Sequence, residues 1–293
     1  MVVRMGNEPN DRQLRVLAKC DYFTTTHLWP VKDKIDPRQW LDNFNEEEKT
    51  SALQLLNFFM FLSEKLTDAL FTSNIHNLNN IFRATKNNKT CYFTNVTGEN
   101  PNPTDSGYLF LRKTRDKCQI KEEFIIDSNS ITDETSIRNC NIIFVDDFLG
   151  SGNQILTQLN KRINDKNINL FEIFKDKNIT PFYCPTIATQ NGVNFIKKHY
   201  PTLIVLPTHT IGEEYSVFSE HSLCWQGDQQ KRGIEMIYET SMKIGVPDQD
   251  HLTTYWKGYR GQGLALSFNH GTPDATLPIF YWTERNWNPL IRK

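Results

Sequence analysis

Apolar positions fall into two regimes. In the N-terminal quarter they recur at helical spacing: Leu53, Leu56, Phe59, Met60, Leu66, Ala69 and Leu70 follow one another at three- and four-residue steps. A start signal precedes them. Asn45 with Glu48 three positions on has the form of a capping box, and Glu46 and Glu47 suit the positive end of a helix. Trp29-Pro30 and Asp36-Pro37 mark turns, and Trp40, Leu41 and Phe44 form an anchoring aromatic cluster. Residues 1–75 are therefore expected to be a helical subdomain, and residues 76–293 an α/β domain.

From residue 142 the regime changes. Ile142-Ile143-Phe144-Val145 is a continuous apolar run, as in a strand covered on both faces. Asp146-Asp147 and then Phe148-Leu149-Gly150-Ser151-Gly152-Asn153-Gln154 follow it, and Ile155, Leu156, Leu159 and Ile163 lie on one face of a helix. Phe182-Tyr183-Cys184 with Ile187-Ala188 is a second strand. Asn194 to Lys198 is a helix, and Leu203 to Leu206 a third strand. This β-α-β-α-β succession predicts an α/β fold with a mainly parallel central sheet flanked by helices. Upstream, Tyr108 to Leu111 and Phe124 to Ile126 are strand candidates, with five basic residues and one acid between Arg112 and Lys121. Downstream, Gly258-x-x-Gly261-x-Gly263 predicts a tight turn before a strand Leu264 to Phe268.

Composition narrows the compartment rather than the fold. Lys and Arg number 33 against 34 Asp and Glu, so whole-chain charge gives no argument for nucleic acid or membrane binding. The longest apolar run, Phe58 to Leu62, is far short of the roughly 20 residues that span a bilayer. The opening residues MVVRMGNEPNDRQ have no apolar stretch of the kind found in secretory leaders. The six cysteines form no C-x-x-C pair, the closest two being 22 positions apart. A soluble cytoplasmic chain with reduced thiols and no membrane partner is expected.

Two chemistries stand side by side at the end of the first strand. The small-residue loop opening a helix offers backbone N–H groups to a phosphate. The paired carboxylates Asp146 and Asp147 suit sugar hydroxyls or a hydrated magnesium ion. A phosphate and a vicinal diol about 5 Å apart describe a ribose 5-phosphate. Two other readings fit worse. In a receiver domain, a later strand ends in a phospho-acceptor Asp, and the strands ending near Thr189 and Thr208 carry none. In a dinucleotide site a third glycine follows Gly150-x-Gly152 at a set offset, and acids before the loop would repel a pyrophosphate.

Phe144 to Gly152 resembles the phosphoribosyl pyrophosphate signature of type I phosphoribosyltransferases, with glycine at 150 in place of the usual threonine and Gln154 in place of a small hydroxyl residue. Together with Trp40 to Phe44 and Thr272 to Ile279 followed by Trp282, it is similar to the PRTase-CE group, phosphoribosyltransferase-like proteins of bacterial conflict and anti-phage loci, some of them retrons beside a reverse transcriptase. The resemblance implies an effector that arrests growth, binding phosphoribosyl pyrophosphate or another ribose 5-phosphate ligand with Mg2+. It also implies a possible protein partner or a reverse transcriptase/DNA-RNA complex.

Carried over by position, Asp146 and Asp147 would hold the ribose hydroxyls, and Gly150, Ser151, Gly152, Asn153 and Gln154 the 5-phosphate. Asp105, Ser106 and Gly107 would be the pyrophosphate loop, with Arg112, Lys113, Arg115 and Lys117 either a mobile cover or a solvated hairpin. The Gly-rich C-terminal segment, with Tyr259, Asn269 and His270, would be a hood over the acceptor, or simply a turn. Two function classes stay open: an enzyme acting at the anomeric carbon, and a binding protein whose pocket senses a nucleotide while its N-terminus engages a partner. They differ in whether the Asp105–Gly107 loop converges on Asp146.

Overall fold

The computed structural model describes residues 11–30, 33–97, 102, 105–163, 167–248 and 255–292. In chain order the elements are α1 (Asp11–Thr25), α2 (Pro37–Leu41), α3 (Glu46–Phe58), β1 (Met60–Leu62), α4 (Glu64–Ala84), β2 (Cys91–Asn95), α5 (Ser106–Cys118) and β3 (Asn141–Leu149). Then come α6 (Asn153–Asn160), α7 (Leu170–Asp176), β4 (Thr180–Thr189), α8 (Gln190–His199), β5 (Ile204–Val205), β6 (His209–Ile211), α9 (Gln229–Lys243) and β7 (Leu266–Phe268).

The chain divides into two compact units. Residues 1–63 and 214–293 make one, and residues 64–213 the other. The break expected near residue 75 falls inside α4, and the C-terminal segment belongs with the N-terminal helices. A periodicity reading joins neighbours along the chain, whereas this unit is closed by contacts between its two ends.

In the first unit, the Asn45 capping box forms as the pattern predicts. Its side chain accepts the N–H groups of Glu47 and Glu48 at 3.0 Å, and Glu48 reaches back to the Asn45 N–H at 2.9 Å. The apolar stripe that follows is not one helix. It breaks at Phe59, whose extended backbone leads into β1, and resumes in α4. β1 pairs in parallel with β7, Met60 opposite Leu266 and Leu62 opposite Phe268. Asp36 caps α2, with Pro37 in the first turn where its missing N–H costs nothing. Trp40 is fully buried, stacked on Phe280 at 5.5 Å, and its indole N–H and that of Trp287 both donate to the Ile279 carbonyl. Gly258, Gly261 and Gly263 all have positive φ, so that segment is the tight turn the glycines predict.

The second unit is a parallel sheet in the order β2-β3-β4-β5, with β6 pairing beside the end of β4. Along β3 the side chains alternate. Ile142 and Phe144 pack in a cluster with Ile155, Leu159, Phe174 and Ile196 of α6, α7 and α8, while Ile143 and Val145 pack with Phe71, Ile75 and Phe110 of α4 and α5. Both faces are thus covered, which explains the unbroken apolar run.

The region before β3 differs from expectation. Tyr108 to Leu111 is the first half of α5, not a strand: Gly107, Phe110, Leu111 and Thr114 are buried at helical spacing. The basic run is the rest of that helix, not a hairpin or mobile cover. Its cations pair locally, Lys113 and Lys117 with Asp68, Arg112 and Arg115 with Asp116. Phe124 ends a short 3-10 turn, and Ile125 makes a single bridge to Phe93 of β2. Ile163 lies beyond α6, bridged to Ile168. Among the described residues no helix is long and apolar enough to cross a membrane.

Candidate active site

β3 does not stop at the acids. Its pairing with β4 runs on through Phe148 opposite Ile187 and Leu149 opposite Ala188, so Asp146 and Asp147 stand inside the sheet, near its C-terminal edge. Strand alternation then separates them. Asp146 is 1% exposed, while Asp147 is half-buried. The two acids are therefore not equivalent faces of one pocket, as their adjacency in sequence suggests.

Asp146 is held on every side. Tyr183 Oη donates to its Oδ2 at 3.0 Å, the Asp147 N–H donates to its Oδ1 at 3.0 Å, and the Thr186 hydroxyl donates to its carbonyl at 3.2 Å. Burial, then the adjacent charge of Asp147, push the Asp146 carboxyl well above the usual carboxylate range. Asp146 is thus the member of the pair biased toward its protonated form. Burial, then the charge of Asp146, also push the Tyr183 phenol well up, so it stays a donor.

The loop after β2 reaches the same place. Ser106 Oγ lies 3.0 Å from Asp147 Oδ1 and 3.3 Å from Asp146 Oδ1. Asp105 is the N-cap residue of α5, and its Oδ2 accepts the Asn102 N–H at 3.0 Å. Gly107 has a packing reason to be glycine: a Cβ there would stand 1.8 Å from the Val96 carbonyl oxygen. α5 thus begins directly on the backbone that leaves β2, which carries Ser106 over the acids.

On the other side, Gly150, Ser151 and Gly152 turn the chain from β3 into α6. Gly152 takes φ +85°, and no side chain caps the helix. Asn153 donates its N–H to Ser151 Oγ at 3.3 Å, and Asn153 and Gln154 open the first turn, both half-buried. The structure thus brings together Asp146, Asp147 and Ser106, with the loop from Gly150 to Gln154 continuing the same strand. A separate cavity of about 450 Å³, lined by Asp133, Arg138, Lys177 and Asn178 among others, opens before the starts of β3 and β4, at the opposite edge of the sheet.

Sequence reasoning missed Tyr183, Thr186 and Thr189. Each acts through a partner about forty positions away, and strand periodicity carries no trace of such pairs.

Chemically, this set offers a half-exposed carboxylate, a hydroxyl, and a loop of backbone N–H groups at a helix start. That combination accepts hydrogen bonds from a diol and donates them to an anion. No curated protein matches the chain. The family model PRTase-CE matches residues 37–293, which take in the whole of the second unit. The chain belongs to the PRTase-CE family, phosphoribosyltransferase-like proteins with a parallel α/β sheet.

Proposed function

We propose that this protein binds phosphoribosyl pyrophosphate, or a related ribose 5-phosphate donor, and transfers or cleaves at its anomeric carbon. One observation supports the reading: Ser106, the first residue of α5, lies within hydrogen-bond reach of both acids near the C-terminal edge of the sheet. Of the three residues expected to meet pyrophosphate, Ser106 is the one that contacts the acids expected to meet ribose.

In this reading Asp147 accepts the ribose hydroxyls, with Asp146 fixed behind it by Tyr183. The N–H groups from Ser151 to Gln154 hold the 5-phosphate. The bond from the anomeric carbon to pyrophosphate breaks, and its electron pair leaves with the pyrophosphate. The acceptor then forms the new bond and loses a proton; with water as acceptor the products are ribose 5-phosphate and pyrophosphate. The sugar develops positive charge as the bond breaks, and the carboxylate of Asp147 beside it favours that state.

Magnesium binds through one or two carboxylates plus substrate phosphates, and the half-exposed carboxylate of Asp147 has the donor chemistry for it. Asp147 would hold it together with the ligand. When bound, magnesium neutralises the charge of the departing pyrophosphate.

The family likeness supports a role as a growth-arresting effector of bacterial anti-phage defence, with a reverse transcriptase/DNA-RNA complex as the partner class. A second reading, a nucleotide-sensing subunit without catalysis, is favoured by the burial of Asp146.

Calorimetric titration with phosphoribosyl pyrophosphate and magnesium tests the site. Micromolar binding by the wild type, lost in a folded Asp147→Asn variant, supports it; no binding by the wild type overturns it. Release of pyrophosphate, and growth arrest on expression that Asp147→Asn abolishes, would separate the enzyme from the sensing subunit.

A further inference from the structure

The loop that would meet the 5-phosphate is shaped from behind by the element that follows β4. Thr189 ends that strand and caps α8. Its Oγ1 accepts the Gly192 N–H at 3.0 Å and donates its single proton to the Gly150 carbonyl at 2.5 Å. One hydroxyl thus ties the first turn of α8 to the backbone of the loop. Gly192 lets the two come that close: a Cβ on it would stand 2.2 Å from the Gly150 oxygen and 3.2 Å from Leu149 Cδ1. One turn on, Ile196 Cγ1 and Phe195 Cδ1 lie 3.1 and 3.3 Å from where a Cβ on Gly152 would be. The loop has a solid back wall.

Peptide planarity gives this wall a consequence. The Gly150 carbonyl and the Ser151 N–H share one rigid plane and point in opposite directions. Holding the carbonyl against α8 therefore turns the Ser151 N–H away from α8, and keeps an oxygen lone pair from facing any anion in front of the loop. Glycine at 150 makes such a hold necessary, because a peptide following glycine flips at little cost.

We infer that Thr189 and Gly192 are positioning residues for the phosphate loop, clasping the Gly150–Ser151 peptide so that its N–H faces the 5-phosphate of the ligand. This rests on the ribose 5-phosphate reading of the site. A plain helix cap would need only the bond from Gly192 to Thr189. The bond onward to Gly150 is the part that a capping role does not use.

The test compares two ligands on the same protein. Thr189→Val removes the hydroxyl and keeps the shape, and Thr189→Ser keeps the hydroxyl. Titrations use phosphoribosyl pyrophosphate with magnesium, which meets the loop, and pyrophosphate with magnesium, which does not. Thr189→Val is expected to weaken the first by about tenfold to a hundredfold, as for one lost charge-assisted hydrogen bond, to leave the second unchanged, and to be rescued by Thr189→Ser. Gly192→Ala, which presses on the same carbonyl, should act in the same direction and serves if Thr189→Val does not fold.

Unchanged phosphoribosyl pyrophosphate affinity in a folded Thr189→Val overturns the clasp and leaves the site reading standing. Equal weakening of both ligands also overturns it, as a general loss of fold. A wild type that binds neither ligand overturns the site reading and the clasp with it.

Discussion

Tyr183 donates its phenolic proton to Asp146 across 3.0 Å, inside a sheet where both side chains are buried. That contact holds one member of the acid pair, so the half-exposed Asp147 stands against a fixed neighbour. Removing it by Tyr183→Phe leaves a buried carboxyl oxygen without its donor. The variant is expected to lose about 1–3 kcal/mol of stability, the cost of an unsatisfied buried acceptor. Denaturant unfolding measures this, and a variant as stable as the wild type would show that Asp146 finds its partners elsewhere.

The raised Asp146 carboxyl makes stability depend on pH in a defined direction. Asp146 ionises near pH 4 in the unfolded chain, and its folded form keeps the proton to higher pH. Above about pH 4 the folded state therefore binds more protons than the unfolded one, and stability falls as pH rises toward the folded value. The contribution is complete below that window. Asp146→Asn cannot ionise, so its melting temperature should fall less between pH 4 and 8 than that of the wild type. Parallel profiles for the two proteins would be the contrary result.

Lys113 is 6% exposed and is paired with Asp68 and, at 3.7 Å, with Glu64. Burial pushes the Asp68 carboxyl up, but hydrogen bonds from Lys113 and Lys117 outweigh it and leave it below the usual value. Asp68→Asn takes the charge from opposite a buried ammonium and should cost about 3 kcal/mol. Urea midpoints for the variant and the wild type decide it. The pair's contribution should also fade as pH drops through the lowered Asp68 value.

Two glycines make a matched pair of controls. Gly107→Ala would place a Cβ 1.8 Å from the Val96 oxygen, so α5 must move off the end of β2 and carry Ser106 from the acids. A loss above about 2 kcal/mol is expected. Gly271→Ala meets nothing within 4 Å and should stay within about 0.5 kcal/mol of the wild type. Thermal unfolding of the two variants side by side distinguishes crowding from a general effect of adding a methyl group.

What could be read from the sequence was whatever is local. The run Ile142 to Val145, the acids, and the glycines after them announced β3 and the turn into α6, because a strand covered on both faces is apolar without interruption. The Asn45 cap was legible because its partners lie two and three residues away. α5 was not, because Lys113 occupies a buried position whose counter-charge, Asp68, is 45 positions upstream, and a buried lysine reads as a solvated one. β2 was passed over because five residues, Cys91 to Asn95, carry two polar side chains that are nonetheless buried. Of the site, the acids and the loop were visible; Tyr183 and Thr189, which hold them in place, were not.

The discontinuous first unit has a consequence for synthesis. β1 leaves the ribosome some 200 residues before the strand it pairs with, Met60 being matched to Leu266. Trp40, Leu41 and Leu55 emerge with the N-terminal helices, yet Phe280 and Leu290, which share their core, come last. At about 5–20 residues per second, the intervening 150 residues take roughly 8–30 s to make. For that interval the N-terminal helices carry apolar faces with no completed core to enter, and they are the stretch most in need of chaperone cover. Residues 64–213 are contiguous, and the bonds from Ser106 and Tyr183 to the acid pair lie among them. The candidate site can therefore be assembled on the nascent chain before the discontinuous unit has received its second half.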